Sequence, residues 1–151
     1  MANTYTQLHI QIIFAVKNRD TIIKECSRIE VEKYICAIVK NHKCKPIAIY
    51  CNPDHTHLLI GLHPSIAISE LVKEMKASSS KFIKNQLGCN SFAWQEGYAS
   101  FSYSRSQIDA VAKYIHNQPQ HHIKRGFKEE FLDILQKLGV EYDEKYLFNW
   151  I

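Results

Sequence analysis

Two histidines one residue apart, His55 and His57, follow Asn52-Pro53-Asp54 and open the apolar run Leu58-Leu59-Ile60. In a β-strand side chains alternate between faces, so both imidazoles point one way while Thr56, Leu58 and Ile60 point the other. Two imidazoles on one face can share a cation, or can be a structural pair satisfied by hydrogen bonds. Further along, Tyr114 and Gln118 stand four residues apart, nearly on one face of a helix, and His121 and His122 follow at once. Two other features suit a nucleic acid. Lys73, Lys76 and Lys84 line up on one side of a helical stretch with Lys81 close by, either to track a phosphate backbone or as an ordinary solvated face. Phe101 and Tyr103 alternate in an aromatic segment, either as stacking platforms for unpaired bases or as core.

The elements that must position these residues can be read from period. Residues 5 to 17 alternate, with Leu8, Ile10, Ile12, Phe14 and Val16 on one side, which predicts a strand with one buried face. From about Glu25 the period turns helical through Val31, Tyr34, Ile35, Ile38 and Val39, and Pro46 marks that helix as finished. Ile47, Ile49 and Cys51 start a second strand, Asn52-Pro53-Asp54 is a turn, and residues 55 to 62 return as a third strand. Ser65 is the expected cap of a long helix carrying Leu71, Val72, Met75, Phe82 and Ile83 inward. A fourth strand falls near residues 100 to 104. Ser106-Gln107-Ile108-Asp109 then fits a relaxed capping box before a helix with Ile108, Val111, Ala112 and Ile115 on its apolar stripe. Pro119 disturbs or ends that helix next to Gln118. A last helix rests on Phe127, Phe131, Ile134, Leu135 and Leu138, and the tail through Tyr146, Leu147, Phe148 and Trp150 is too apolar to be left in water.

The order β-α-β-β-α-β-α plus a C-terminal helix predicts an α+β fold, a ferredoxin-like antiparallel sheet with helices on one face. The other face is then open for a ligand or a second subunit. At 151 residues and 46% hydrophobic content, one domain over 1–151 is expected. The net charge of +4 permits a nucleic-acid partner without demanding one. Five cysteines without a Cys-x-x-Cys pair, and the lack of a secretory leader, predict a reducing cytoplasm, and no apolar run has the length of a membrane span.

Three segments together carry a resemblance: Pro53-Asp54-His55-Thr56-His57-Leu58-Leu59-Ile60, Phe92-Ala93-Trp94-Gln95-Glu96-Gly97-Tyr98, and Tyr114-Ile115-His116-Asn117-Gln118 with His121-His122. In order and spacing the chain resembles the IS200-like transposases, single-tyrosine members of the HUH nuclease group that include the REP-associated tyrosine transposases. The opening Tyr5-Thr6-Gln7-Leu8-His9-Ile10 and the closing Tyr142-Asp143-Glu144-Lys145-Tyr146-Leu147-Phe148 fit the same pattern.

The resemblance implies a transposase that cuts and rejoins single-stranded DNA through a 5′-phosphotyrosine link and recognises DNA hairpins. Carried over by position, the nucleophile is Tyr114, and the metal ligands are His55, His57 and Gln118 for Mg²⁺ or Mn²⁺. A phenol with an ordinary pKa near 10 needs activation by metal or base, and Asp54, His116, His121 and His122 are only neighbours in sequence. Should Pro119 turn Gln118 away, His121 or His122 is the substitute. The resemblance also implies a homodimer with composite active sites, and Lys73, Lys76, Lys81, Lys84 and Arg105 are candidate DNA contacts. A domesticated REP-type nuclease would carry the same residues. The reading from another class is a non-enzymatic RNA-binding module of the same sheet plan, with Glu96-Gly97-Tyr98-Ala99-Ser100-Phe101-Ser102-Tyr103 as an incomplete aromatic strand signature.

Overall fold

Apolar residues at every second position build the central strand, β1 (His9–Ala15). It pairs antiparallel with β3 (His55–Gly61) on one side and β4 (Ala99–Tyr103) on the other, and β2 (Lys45–Cys51) completes the order β2-β3-β1-β4. The structure is a computed structural model and describes residues 3–151. Between the strands run α1 (Glu25–Asn41) and α2 (Ile68–Gln86); after β4 come α3 (Ile108–His116), α4 (Gln118–Lys124) and α5 (Phe127–Leu138). The fold is the expected α+β, ferredoxin-like plan, in which β3 lies antiparallel between the two strands that α1 joins.

The pleat divides the side chains between two layers. Ile10, Ile12 and Phe14 of β1, with Val16 just beyond its end and Leu58 and Ile60 of β3, face α1 and α2 and form the main core with Val31, Ile35, Leu71 and Met75. Those two helices lie on one face, as expected. The second face is not open. Ile13 and Ala15 meet Phe101 and the α5 residues Phe127, Phe131 and Leu135, while Ala48 and Leu59 meet Ile115 of α3. Residues 10–15 are therefore buried on both sides rather than one. The reason is the apolar chain that follows β4: it needs cover, and the bare sheet is the large surface within its reach.

Two helix starts lie two residues from the expected caps. α2 begins after Ala67 with no side-chain cap, and the Ser65 hydroxyl instead meets His63 Nδ1 at 2.6 Å. Ser104, not Ser106, makes the capping box, with Gln107. At Asn117 the helix does break, and Pro119 falls in the first turn of α4, where a missing N–H leaves no hydrogen bond unmade. α5 ends at Gly139, whose φ of 66° is the left-handed conformation that glycine adopts at no steric cost.

The tail lies back on α5. Phe148 and Trp150 pack on Phe127 and Phe131, and Gln95 ties the same stretch to the sheet. Its amide nitrogen donates to Val16 O (3.0 Å) and Asn149 O (2.6 Å), and its oxygen accepts from Asn149 N–H (2.8 Å).

Candidate metal and tyrosine site

The second face of the sheet carries His55 and His57, both fully buried. Each ring is held by its Nδ1 atom: His55 donates to Asp54 Oδ1 at 2.7 Å and His57 to Gln11 Oε1 at 2.8 Å, since a carboxylate and an amide oxygen can only accept. This leaves both Nε2 atoms aimed at one oxygen, Glu130 Oε1 of α5, at 3.1 and 3.0 Å. An imidazole whose far nitrogen is anchored in this way is the usual posture of a metal-ligating histidine.

Helices close the site from above. Gln118 is fully buried despite Pro119; its amide nitrogen donates to Glu130 Oε2 (2.8 Å), and its oxygen accepts from Asn52 Nδ2 (2.8 Å) and lies 2.9 Å from His122 Nε2. His122 Nε2 is also 3.3 Å from Glu130 Oε1. The Tyr114 hydroxyl donates to Glu130 Oε2, and its ring stacks on His121 with centroids 4.3 Å apart. His55 in turn stacks on Phe127, at 3.8 Å between ring centres. The four residues picked from sequence, His55, His57, Tyr114 and Gln118, thus converge within one chain, with α3 docked on its own chain's β2 and β3.

Two ligand-type residues escaped the sequence reading or were only alternates in it. His122 joins the cluster beside Gln118 rather than in its place, while His121 is occupied against Tyr114. Glu130 was missed altogether. The available signal was its position: it falls between Phe127, Phe131 and Ile134 on the apolar stripe of α5, where a carboxylate has no business unless something polar meets it.

Charge organises the cluster around Glu130. Burial pushes its carboxyl up, but His122, His55 and His57 outweigh that and hold it well below the usual carboxylate range. Burial likewise disfavours the His55 cation, yet its bonds to the Asp54 and Glu130 carboxylates raise its pKa above the ordinary value. His57 is lowered, chiefly by burial. Tyr114 is raised, by burial and then by its bond to Glu130, so the phenol keeps its proton in the metal-free cluster. The donor set fits a divalent cation: His55, His122 and Glu130 each offer an atom within 4.8 Å of the others, with His57 beside them. Nitrogen and oxygen donors 3.0 to 3.3 Å apart have the spacing of neighbouring ligands on an octahedral ion, about 3 Å for bond lengths of about 2.1 Å.

The candidate DNA contacts on α2 lie elsewhere. Lys73 and Lys81 are exposed on α2, Lys84 is half-exposed, and Arg105 is exposed in the short turn before α3. Because α2 packs on the first face, its lysines are across the sheet from the histidines. Lys76 is committed to the fold: its ammonium donates to Gln95 O at 2.8 Å and to Gly97 O. The RNA-binding reading needs an open sheet face with accessible rings, whereas Phe101 is buried under α5.

Residues 4–118 match the protein family described as transposase IS200 like. The chain is 25% identical over 119 residues to the ISDra2 transposase TnpA of Deinococcus radiodurans, covering 74% of this chain and 84% of that one. Among solved structures, a Deinococcus radiodurans chain described as a transposase superposes with a TM-score of 0.59 at 22% identity, over 78% of this chain and 95% of that one. A REP-associated tyrosine transposase bound to a REP hairpin gives 0.61 at 15% identity, over 81% of this chain and 73% of that one.

Proposed function

The chain belongs to the IS200-like transposase family, and from that premise we propose that it cuts and rejoins single-stranded DNA with Tyr114 as nucleophile. His55, His57 and Gln118 are the proposed ligands of a divalent cation, Mg²⁺ or Mn²⁺, with His122 and Glu130 as further donors. When bound, that cation supplies the positive charge that favours a phenolate and offsets charge developing on the attacked phosphate. The Tyr114 oxygen forms a bond to phosphorus as the P–O3′ bond breaks, leaving a 5′-phosphotyrosine and a 3′-hydroxyl. The phenol proton leaves, and the 3′-oxygen gains one. The reverse attack by a 3′-hydroxyl rejoins the strand without an external energy source. Gln11 and Asp54 orient the imidazoles throughout.

The observation that carries this reading is the meeting of both strand imidazoles and the Tyr114 hydroxyl on one buried carboxylate, Glu130. A structural histidine pair needs no phenol beside it; a nuclease that attacks through a tyrosine does. DNA hairpins are the proposed recognition element, which the hairpin bound to the REP-associated relative supports, with Lys73, Lys81, Lys84 and Arg105 as contacts. A homodimer remains part of the proposal, with each subunit using its own Tyr114 rather than its partner's.

The test is a denaturing gel for a covalent protein–DNA adduct, using single strands from both flanks of the protein's own gene with Mn²⁺ or Mg²⁺. Wild type is expected to form a metal-dependent adduct and Tyr114→Phe none. An adduct that survives in Tyr114→Phe removes the nucleophile assignment, and no adduct with any strand removes the activity.

A further inference from the structure

Between α3 and α5 lies a cavity of about 410 Å³ lined by Tyr114 and by the sheet residue Tyr103. We propose that this cavity receives one unpaired nucleotide of the strand being cut, its base held between Val111 and Ile134 and its phosphate against Arg125. The inference rests on the proposed tyrosine chemistry and adds where the neighbouring nucleotide goes and what reads it.

Position, size and chemistry agree on this occupant. A phosphate in contact with the Tyr114 oxygen brings its own nucleotide beside that phenol, and the cavity is the space the phenol lines. Its volume falls in the range of small-ligand sites, roughly 300–1,000 Å³. Val111 and Ile134 offer the apolar surfaces that a base plane packs on.

The polar groups at its edge are mostly donors. The Tyr103 hydroxyl accepts from Gln11 at 2.8 Å, which leaves its hydrogen to give; Gln107 Oε1 is taken by Ser104 N–H at 2.9 Å, which leaves its amide nitrogen to give. Two neighbouring donors complement the paired N7 and O6 acceptors of guanine or the O4 carbonyl of thymine, whereas adenine answers only one of them, at N7, and sets its amino group against the other. At the rim, Asp133 is shared between Arg125 (3.3 Å) and Lys137 (3.0 Å), so two cations face one carboxylate and the rim stays positive. A half-exposed guanidinium there is suited to a phosphate.

The experiment starts from whichever flanking strand gives the covalent adduct. Each nucleotide around the joined phosphate is replaced in turn by an abasic residue, and Kd is measured by fluorescence anisotropy with Mn²⁺ on Tyr114→Phe, which binds without cutting. A single sensitive position is expected, losing on the order of 10-fold or more in affinity, as for loss of one stacked base. Ala110 lines the same cavity and is exposed, so Ala110→Trp fills it from the solvent side. In that variant the sensitivity should vanish while Mn²⁺ affinity by calorimetry is unchanged. Arg125→Gln should weaken intact and abasic strands alike, with a shallower salt dependence. The proposal is overturned if an adduct forms but no position is sensitive, or if Ala110→Trp keeps the full sensitivity. A preference for adenine at the sensitive position overturns the donor assignment. If wild type forms no adduct with any strand, the activity itself is refuted and this site goes with it.

Discussion

Glu130 is a single carboxylate that faces both imidazoles of a strand and takes hydrogen bonds from a helix turn and the proposed nucleophile. Glu130→Gln keeps the shape and removes the charge. It should lower Mn²⁺ affinity by about 10- to 100-fold in calorimetry, the scale found when the groups around a metal site are altered. Unchanged or tighter binding would mean that the carboxylate only fills the cation's place. Asp54 sets a pH dependence in the metal-free protein. His55 has a raised pKa, so its stabilising contribution is complete below its ordinary value near 6.5 and is lost as pH rises through the higher folded value. Wild type should therefore lose more Tm between about pH 6 and about pH 9 than Asp54→Asn, in which one cause of the raised value is gone. Equal slopes would separate Asp54 from the imidazole's charge. At this scale the sequence was legible where spacing imposes direction: His55 and His57 share a face because strands alternate, and Tyr114 and Gln118 because helices turn. Glu130 was not, because its meaning depends on a docking across 73 residues that no local pattern encodes.

The elements were legible wherever one period ran long enough, as in α1 and α2, and the order of strands followed from their connections. Covering of the second face was not, because the same apolar stripe on α3 or α5 serves equally to cover a sheet or to meet a second subunit. The break at Asn117 also shows how a warning sign resolves. Proline beside the proposed ligand ends one helix but opens another, and Gln118, the first residue of the new turn, stays buried. α5 holds Glu130 in place only as well as the tail holds α5. Trp150 is half-buried on Phe127 and Phe131, so Trp150→Ala should cost about 2 kcal/mol in chemical denaturation, less than for a fully buried ring. Mn²⁺ affinity should fall with it. A stability loss with metal binding intact would uncouple the tail from the site.

At the scale of the whole molecule, a complete cluster in one chain bears on assembly. The composite site implied by the resemblance needs α3 to leave its own sheet and reach another. Here α3 packs on β2 and β3 of the same chain, and Ile115 is fully buried there. Mixing Tyr114→Phe with His57→Ala, each expected to be inactive, should therefore restore no adduct, whether or not the chains pair. Recovery on mixing would show that tyrosine helices are exchanged between subunits. The placing of the α2 lysines across the sheet from the histidines has a related effect: a DNA that touches both must pass around an edge of the molecule, so hairpin binding and strand cutting should respond to separate mutations.

The two tryptophans stand on opposite sides of that sheet. Trp94 is buried in the main core, its indole nitrogen bonded to Ser79, far from the histidines' face. Trp150 rests edge-on against Phe127 at 5.3 Å, and Phe127 lies flat on His55 at 3.8 Å. Light emitted from the tail is therefore only one ring removed from the proposed ligands, while the other emitter is shielded as an internal reference. The native chain thus carries its own optical gauge of the site, readable by ultraviolet emission without attaching a dye.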